Sequence, residues 1–407
     1  MNAPTGATAR WPAEMDEASS SVYAKVAALL HESRQHPPDQ LGPFLSASVD
    51  RFGMRDLSVF VCDFEQRSLI PLPGSPATGP LDMERTPGGR AFTTATQVAE
   101  RIEGGVRLWS VVVDGAARLG VLSTTLDEAD DQTRALADSL AGVVAALLVT
   151  RGQCTDAYTA IRRSDTLTLA AEMQWDLLPP LSLDSERVSV AGLIQPAYEV
   201  GGDSFDYAIN ADTLHFAVFD AMGHGLVSSQ LAHLAVSSYR HSRRSGFDLA
   251  FTYTAMDAAI ASRGLETEFV TGVFATLDLV TGRLRWINAG HPAPLLVRAN
   301  EVVGPLACEP TLPAGIADVD SGDVAEIGTL DLQAGDRLFC LTDGVVDSHR
   351  PGGQDFGEDR LLQMLADRSR DGLDAAETVR QLSHSVLDHH GMLSDDTTAF
   401  LVDFHAS

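Results

Sequence analysis

Apolar residues recur along this chain with two different periods, and the dominant period changes near the middle. Between Val22 and Phe52 they fall at helical spacing, interrupted by Pro37-Pro38, so this stretch predicts two helices. Two apolar hairpins and a short helix follow, and a long helix is predicted from Asp130 to Thr150. The predicted strands are Leu57–Phe64, Ser68–Leu72, Arg107–Val113 and Arg118–Ser123, and the short helix is Gly88–Phe92.

The next stretch, Thr155–Leu178, has no internal glycine or proline. Its apolar residues predict one linker helix that ends at Pro179-Pro180. A stripe of this kind either packs on its own domain or forms a dimeric, signal-transmitting coil. The stripe is too short to decide between these two structures.

Beyond the linker, strand patterns outnumber helical ones and most strands are linked as hairpins. This favours an α+β class of fold in which two packed sheets are flanked by helices, rather than βαβ winding. The predicted strands are Val188–Ile194, Leu214–Phe219, Thr271–Leu277, Arg283–Asn288, Pro294–Arg298, Asp336–Leu341 and Thr398–Val402. The predicted helices are Leu226–Arg243, Leu249–Arg263, Arg360–Arg368 and Ala375–His390.

Four acids in this region lie where an apolar run meets a Gly or Thr turn. A carboxylate at the end of a buried strand is costly to desolvate unless it is paired or holds a cation. Neighbouring glycines allow tight turns that leave backbone carbonyls free to face the same cation. A single such acid is more often solvated, but the recurrence indicates one shared site. The four positions are Asp203, Asp220, Asp343 and the pair Asp395-Asp396.

Composition limits the partners of the protein. The 407 residues exceed one ordinary core, so two domains are expected. The formal net charge of −27 disfavours nucleic acid and anionic membrane surfaces. The four cysteines have no metal-binding spacing, and the N-terminus lacks the apolar core of a signal peptide. We therefore expect a cytoplasmic protein with no membrane span.

The order of elements in the first half resembles a GAF domain, a small sensory module with an antiparallel sheet and helices. Gly88-Gly89-Arg90-Ala91-Phe92 and Leu119-Gly120-Val121-Leu122 carry the resemblance. A small-molecule or protein ligand and a degenerate docking or dimerisation module are both compatible with it. The predicted organisation is a disordered tail at residues 1–17, a GAF-like domain at 18–150, the linker helix at 151–180 and a second domain at 181–407.

The second domain resembles the SpoIIE-like phosphatases, bacterial members of the metal-dependent protein phosphatase (PPM) superfamily. The resemblance covers about residues 165–404 and implies an α-β-β-α sandwich. Its activity would be hydrolysis of phosphoserine or phosphothreonine. The motifs that carry it, in family order, are Glu199-Val200-Gly201-Gly202-Asp203, Asp220-Ala221-Met222-Gly223-His224-Gly225, Asn288-Ala289-Gly290-His291-Pro292, Thr342-Asp343-Gly344 and Asp395-Asp396-Thr397-Thr398.

The resemblance implies a two-metal site. Asp220 would bridge the ions with the Ala221 carbonyl as a backbone ligand, and Asp203, Asp343 and Asp395 would complete the cluster. Asp396 is the second choice for the last position. Oxygen ligands suit Mn²⁺ or Mg²⁺ and do not choose between them. Paired hard cations neutralise a phosphomonoester and acidify a water, so no nucleophilic Cys or Ser is required.

Other motif residues receive smaller roles. Asp206 is expected to orient a water near the metals or to cap a turn. His224 and His291 are expected to shape turns rather than to contact phosphate, and Asn288–Pro292 is expected to be a turn at the end of a sheet.

The resemblance also implies a substrate, a phosphorylated anti-anti-sigma-factor-like protein, under control of the N-terminal sensor. Two alternatives stay open: a non-catalytic pseudophosphatase that holds a partner, and a di-metal phosphatase of a small metabolite. Retention of all four acids argues against the first. The absence of a recognisable polar pocket set in the sequence argues against the second.

Overall fold

The computed structural model describes residues 17–115, 117–264, 268–316, 325–345, 357–390 and 396–405. The predicted disordered tail therefore lies almost wholly outside the described residues. The chain divides into two compact units. The first contains Met1–Asp114 and Arg118–Arg162, and the second contains Gly115–Ala117 and Arg163–Ser407.

The first unit is built on one antiparallel sheet. Its strands are β1 (Arg55–Cys62), β2 (Ser68–Pro71), β3 (Leu81–Asp82), β4 (Val98–Ile102), β5 (Gly105–Asp114) and β6 (Ala117–Leu126), in the spatial order β3-β2-β1-β6-β5-β4. Its helices are α1 (Glu17–Ser33), α2 (Leu41–Ser48), α3 (Pro87–Thr94), α4 (Asp131–Gly152) and α5 (Ala157–Ile161). The helices and strands predicted between Val22 and Thr150 are confirmed, whereas β3 and β4 were not predicted.

Side chains of β1 alternate between the two faces of this sheet. Val59 and Val61 lie in a core shared with α2 and α4, and Phe60 and Cys62 lie in a second core shared with α3. Both faces of the central strand are therefore buried, which explains its nearly continuous apolar sequence.

Among the described residues, one helix, α4, is long and apolar enough to cross a membrane by length and composition. Its Leu140, Val144 and Leu148 are buried in the core of the first unit. A core helix of a soluble domain meets the same criterion, so the match does not indicate a membrane span.

The prediction of a single linker helix over Thr155–Leu178 is wrong. The structure has α5 and a separate α6 (Leu169–Leu177), with non-helical chain between them. In this break the Ser164 backbone N–H donates to Tyr198 Oη at 2.8 Å, and the Thr168 N–H donates to the Tyr198 carbonyl at 3.0 Å. The Thr168 hydroxyl then caps α6. Tertiary hydrogen bonds to Tyr198 thus replace the helical ones that would have continued the helix.

The apolar stripe of α6 packs within the second unit. Ala171 and Leu177 are buried in two of its cores, and Gln174 is fully buried. This contact pattern favours the first of the two structures considered for the stripe, packing on its own domain.

The second unit contains two antiparallel sheets. One has the order β15-β12-β11-β10-β9 and the other has the order β14-β13-β16-β17-β8-β7. The strands are β7 (Ser182–Asp184), β8 (Val188–Gln195), β9 (Asp203–Asn210), β10 (Thr213–Ala221), β11 (Val270–Asp278), β12 (Arg283–Ala289), β13 (Leu295–Arg298), β14 (Glu301–Pro305), β15 (Gly328–Asp331), β16 (Arg337–Leu341) and β17 (Thr397–Phe404). The helices are α7 (Leu226–Arg244), α8 (Leu249–Ala261), α9 (Glu358–Arg370) and α10 (Ala375–His390).

Three apolar cores separate four layers. Between the sheets, the Phe400 ring lies 5.4 Å from Phe205 and 5.8 Å from Phe216, centroid to centroid. A second core, which includes Phe219, joins the five-stranded sheet to α7 and α8. A third, which includes Phe339, joins the six-stranded sheet to α9 and α10. The layers therefore run α-β-β-α, and the predicted α+β class is confirmed.

Candidate metal centre

Two acids occupy directly paired positions on neighbouring strands of the five-stranded sheet. β9 begins at Asp203, and its register places this residue opposite Asp220 near the end of β10. Because side chains alternate along a strand, Asp203 shares a face with Phe205, and Asp220 shares a face with Val218. Both apolar residues belong to the core between the sheets. The two carboxylates therefore lie at one end of the gap between the sheets.

The opposite sheet contacts Asp203 with two hydroxyls. Thr342, directly after β16, donates to Asp203 Oδ2 at 2.8 Å, and Thr398 of β17 donates to the same oxygen at 2.7 Å. The Thr398 N–H donates in turn to Thr342 Oγ1 at 2.8 Å. These three hydrogen bonds fix the Asp203 carboxylate from the other side of the sandwich.

The electrostatic setting of Asp203 disfavours its charged form. The residue is 2% exposed. Burial, followed by repulsion from Asp220 and Asp396, raises the pKa of Asp203 well above its ordinary value, and the two threonine hydroxyls lower it. A buried carboxylate beside other carboxylates needs a proton or a cation to be stable. A divalent cation at this place would relieve both the burial cost and the repulsion.

Asp396 fixes the turn that leads into β9. Its Oδ2 accepts backbone N–H bonds from Gly201 at 2.8 Å, from Gly202 at 2.7 Å and from Asp203 at 3.3 Å. From the other side of this turn, Gln174 Nε2 of α6 donates to the Gly201 carbonyl at 2.7 Å and to the Asp203 carbonyl at 2.9 Å. The position of Asp203 is thus set by main-chain contacts as well as by its side chain.

The strand ends approach one another so closely that two positions require glycine. A Cβ on Gly202 would lie 2.6 Å from the Ala221 carbonyl oxygen, and a Cβ on Gly344 would collide with the Asp396 carbonyl oxygen. Ala221 itself is buried, and its N–H donates to the Gly202 carbonyl at 3.2 Å.

The predicted ligands are brought together only in part. Asp203 and Asp220 are paired, and Asp343 is an exposed residue that opens a one-turn 3-10 helix directly after Thr342. Asp395 lies outside the described residues. Within the described ranges, no three acidic, histidine or cysteine side chains converge as the ligands of one ion.

The two motif histidines occupy different environments. His224 is exposed in the turn before α7. His291 is 5% exposed, and its Nδ1 lies 3.1 Å from Thr271 Oγ1. Burial lowers the pKa of His291 to about 4, with the Leu341 backbone opposing the shift, so the ring is neutral at pH 7. Asn288 exchanges two 2.8 Å hydrogen bonds with the His291 backbone, as expected for a turn at the end of a sheet.

The expectation for Asp206 is wrong. This acid is 1% exposed and faces α7, where it pairs with Arg240 and Arg243 at 2.7 Å each. It lies one position out of phase with Phe205 and Tyr207, so it occupies the face of β9 opposite to Asp203. Asp206 therefore anchors the helical layer and does not orient a water near the candidate metals.

Several residues that hold the site were not predicted. They are Gln174, Thr271, Thr342 and Thr398. Both Thr342 and Thr398 stand inside recognised motifs that contain a predicted ligand, which was the available signal. Nothing in the sequence indicated that both hydroxyls would reach the same oxygen of Asp203.

Comparison with known proteins bears on this arrangement. Residues 210–405 match the family model described as stage II sporulation protein E (SpoIIE). The match contains the predicted ligands Asp220, Ala221, Asp343 and Asp395, and Asp203 lies seven positions before it.

The curated proteins that the chain matches are distant in sequence. The chain is 24% identical over 245 residues to phosphoserine phosphatase RsbP of Bacillus subtilis (strain 168), covering 58% of this chain and 57% of that protein. It is 24% identical over 223 residues to Protein IcfG of Synechocystis sp. (strain ATCC 27184 / PCC 6803 / Kazusa), covering 48% of this chain and 34% of that protein. Each match therefore spans only part of the relative. Among solved structures, the SiaA-PP2C domain of Pseudomonas aeruginosa has a TM-score of 0.48 at 21% identity, covering 58% of this chain and 94% of that chain.

Proposed function

We propose that the second unit is a metal-dependent protein serine/threonine phosphatase. The observation that carries this proposal is the pairing of Asp203 and Asp220 at the end of the sandwich. Asp220 lies within the segment that matches the SpoIIE family model, and Asp203 lies just before it. Burial, followed by the neighbouring negative charges, raises the pKa of Asp203. An acidic site with no cation cannot bind a phosphate dianion, so a phosphatase with these residues needs metal ions.

The donor set fits Mn²⁺ or Mg²⁺. The ligands would be the carboxylates of Asp203, Asp220, Asp343 and Asp395 and the carbonyl of Ala221, all of them oxygen. When bound, two such ions neutralise the phosphate and lower the pKa of a water. Electrostatic repulsion between Asp203 and Asp220 is the feature of this chain that favours the binding of these cations.

The chain's own residues organise this site before any ligand enters. Thr342 and Thr398 hold one Asp203 oxygen, which fixes the plane of that carboxylate. Asp396 holds the preceding turn by its backbone N–H groups. Preorganisation of this kind reduces the reorganisation that cation and substrate binding would otherwise require.

The surface beside the site favours a protein substrate over a small metabolite. Met222, Leu226 and Val227 follow Asp220 in sequence and are 48%, 41% and 57% exposed. Clustered exposed apolar residues are typical of surfaces that contact other proteins. RsbP is named a phosphoserine phosphatase, which supports phosphoserine as the group removed. The proposed substrate is a phosphorylated anti-anti-sigma-factor-like protein.

We further propose that the first unit is a GAF-like sensor that controls this activity in the cytoplasm. The six-stranded antiparallel sheet with helices on both faces supports that assignment. A small molecule or a protein would be its ligand.

The test is phosphate release from p-nitrophenyl phosphate and from a phosphoserine protein, with Mn²⁺, Mg²⁺ or EDTA. We expect activity with Mn²⁺ or Mg²⁺, none in EDTA, and loss in Asp220→Asn and in Asp343→Asn. Asp331→Asn is the matched control, because this exposed acid makes only a surface ion pair with Arg283. If the wild type binds Mn²⁺ but leaves both substrates intact, the protein is a binding module rather than an enzyme.

A further inference from the structure

A third polar residue stands in line with the paired acids. Thr271 of β11 is directly opposite Asp220 in the β10–β11 register, just as Asp203 is opposite Asp220 on the other side. Its Oγ1 lies 3.4 Å from Asp220 Oδ2. Three adjacent strands therefore place an acid, an acid and a hydroxyl at one level of the sheet.

His291 extends this row beyond the end of β12. Its Nδ1 lies 3.1 Å from the same Thr271 hydroxyl. Its backbone N–H and carbonyl both bond to the Asn288 side chain, so the turn holds this residue in place.

Burial of the His291 ring at this position costs folding free energy. It is 5% exposed, and its Nε2 has no hydrogen-bond partner among the described residues. An unpartnered buried polar atom destabilises the folded state, and an apolar side chain of similar size would avoid that cost. Its ring faces the Leu341 backbone and the Thr271 hydroxyl, and the hydroxyl is the contact that leads on to Asp220.

We propose that Thr271 and His291 are positioning residues that orient the Asp220 carboxylate for cation binding, with His291 acting only through the Thr271 hydroxyl. A hydroxyl has one proton to donate and two lone pairs, so Thr271 can contact both neighbours at once. Holding one carboxylate oxygen restricts the direction of the other. Since His291 is buried behind Thr271, it does not contact the substrate. This inference rests on the proposed metal-dependent function.

The decisive variants differ by single groups. Thr271→Val removes the hydroxyl and keeps the branched shape, whereas Thr271→Ser keeps the hydroxyl. Thr276→Val is the matched control, because Thr276 lies on the opposite face of β11, roughly 16 Å along the strand. His291→Leu removes the ring nitrogens, and His291→Asn retains a polar group within reach of Thr271.

The measurement is titration calorimetry of MnCl₂ into the full chain, with unfolding temperatures in EDTA to confirm that each variant folds. Loss of a group that orients a ligand typically weakens metal affinity by about 10 to 100-fold. We expect that loss in Thr271→Val and in His291→Leu, with Thr271→Ser and Thr276→Val like the wild type and His291→Asn intermediate. In phosphatase assays, the Mn²⁺ concentration for half-maximal activity should rise more than kcat falls.

The double variant tests the order of action. If His291 acts only through Thr271, Thr271→Val/His291→Leu should bind Mn²⁺ no more weakly than Thr271→Val alone. Wild-type affinity in Thr271→Val, an equal loss in Thr276→Val, or a further loss in the double variant would overturn the inference. A wild type that binds no Mn²⁺ would instead remove the proposed function on which the inference rests.

Discussion

Thr398 Oγ1 donates a 2.7 Å hydrogen bond to Asp203 Oδ2 across the gap between the two sheets of the second unit. Thr398 is fully buried and Asp203 is 2% exposed, so water does not compete for this bond. The contact joins the start of β17 to the start of β9, two strands that belong to different sheets. One side chain therefore fixes both the sandwich and an acid of the candidate site.

Replacing Thr398 by Val should destabilise the protein by about 1 to 3 kcal/mol, because Asp203 would lose a donor in a buried setting. Thr398→Ser keeps the hydroxyl and should lose much less. The measurement is urea denaturation of both variants at pH 7 in EDTA. Equal stability of the Val and Ser variants would contradict this prediction, because the Ser variant keeps the donor that the Val variant loses.

Two substitutions of Asp396 are expected to differ in their effect on stability. Asp396→Ala removes the acceptor of the Gly201 and Gly202 N–H groups and should cost about 2 kcal/mol or more. Asp396→Asn retains an oxygen acceptor and removes a charge that repels Asp203, so its loss should be smaller. Hydrogen exchange of these two amides should accelerate in the Ala variant only. Unchanged protection in Asp396→Ala would show that another group holds the turn.

The sequence predicted the strands whose apolar runs are bordered by an acid, because both the run and the acid are local features. β10, β11, β16 and β17 are of this kind. It did not predict β9, in which Ser204 and Asp206 interrupt the apolar pattern. Those residues face a helix, and a buried acid beside two arginines has the same local sequence as an exposed one.

Contacts between the sheets and between distant segments could not be predicted from the sequence. The break between α5 and α6 depends on Tyr198, which lies more than 30 positions from Ser164. Likewise, the meeting of Thr342 and Thr398 at one oxygen depends on how two sheets pack, and neither residue carries that information in its neighbours. The candidate ligands were local and could be named, whereas the groups that orient them could not.

Asp206 is expected to be among the most sensitive acids of the second unit. Asp206→Asn would leave Arg240 and Arg243 without their carboxylate, and Arg243 is 8% exposed. Breaking a buried ion pair from one side typically costs about 3 to 5 kcal/mol. Urea denaturation is the measurement, with Asp331→Asn as the control because its ion pair is exposed. Mn²⁺ affinity of the folded fraction should be unchanged, because Asp206 faces away from Asp203.

His291 should make stability depend on pH. Its pKa is about 4 in the folded protein against 6.5 in the unfolded chain. The unfolded state therefore binds more protons between these values, and stability falls as pH decreases from about 6.5 to about 4. The full difference of about 2.5 pKa units corresponds to roughly 3 kcal/mol.

His291→Asn removes this contribution, while the carboxylates contribute to both proteins. Urea denaturation in EDTA at pH 7, 5.5 and 4.5 should show the wild type losing stability relative to His291→Asn as the pH falls. A constant difference across this range would mean that the His291 ring is not buried in its neutral form.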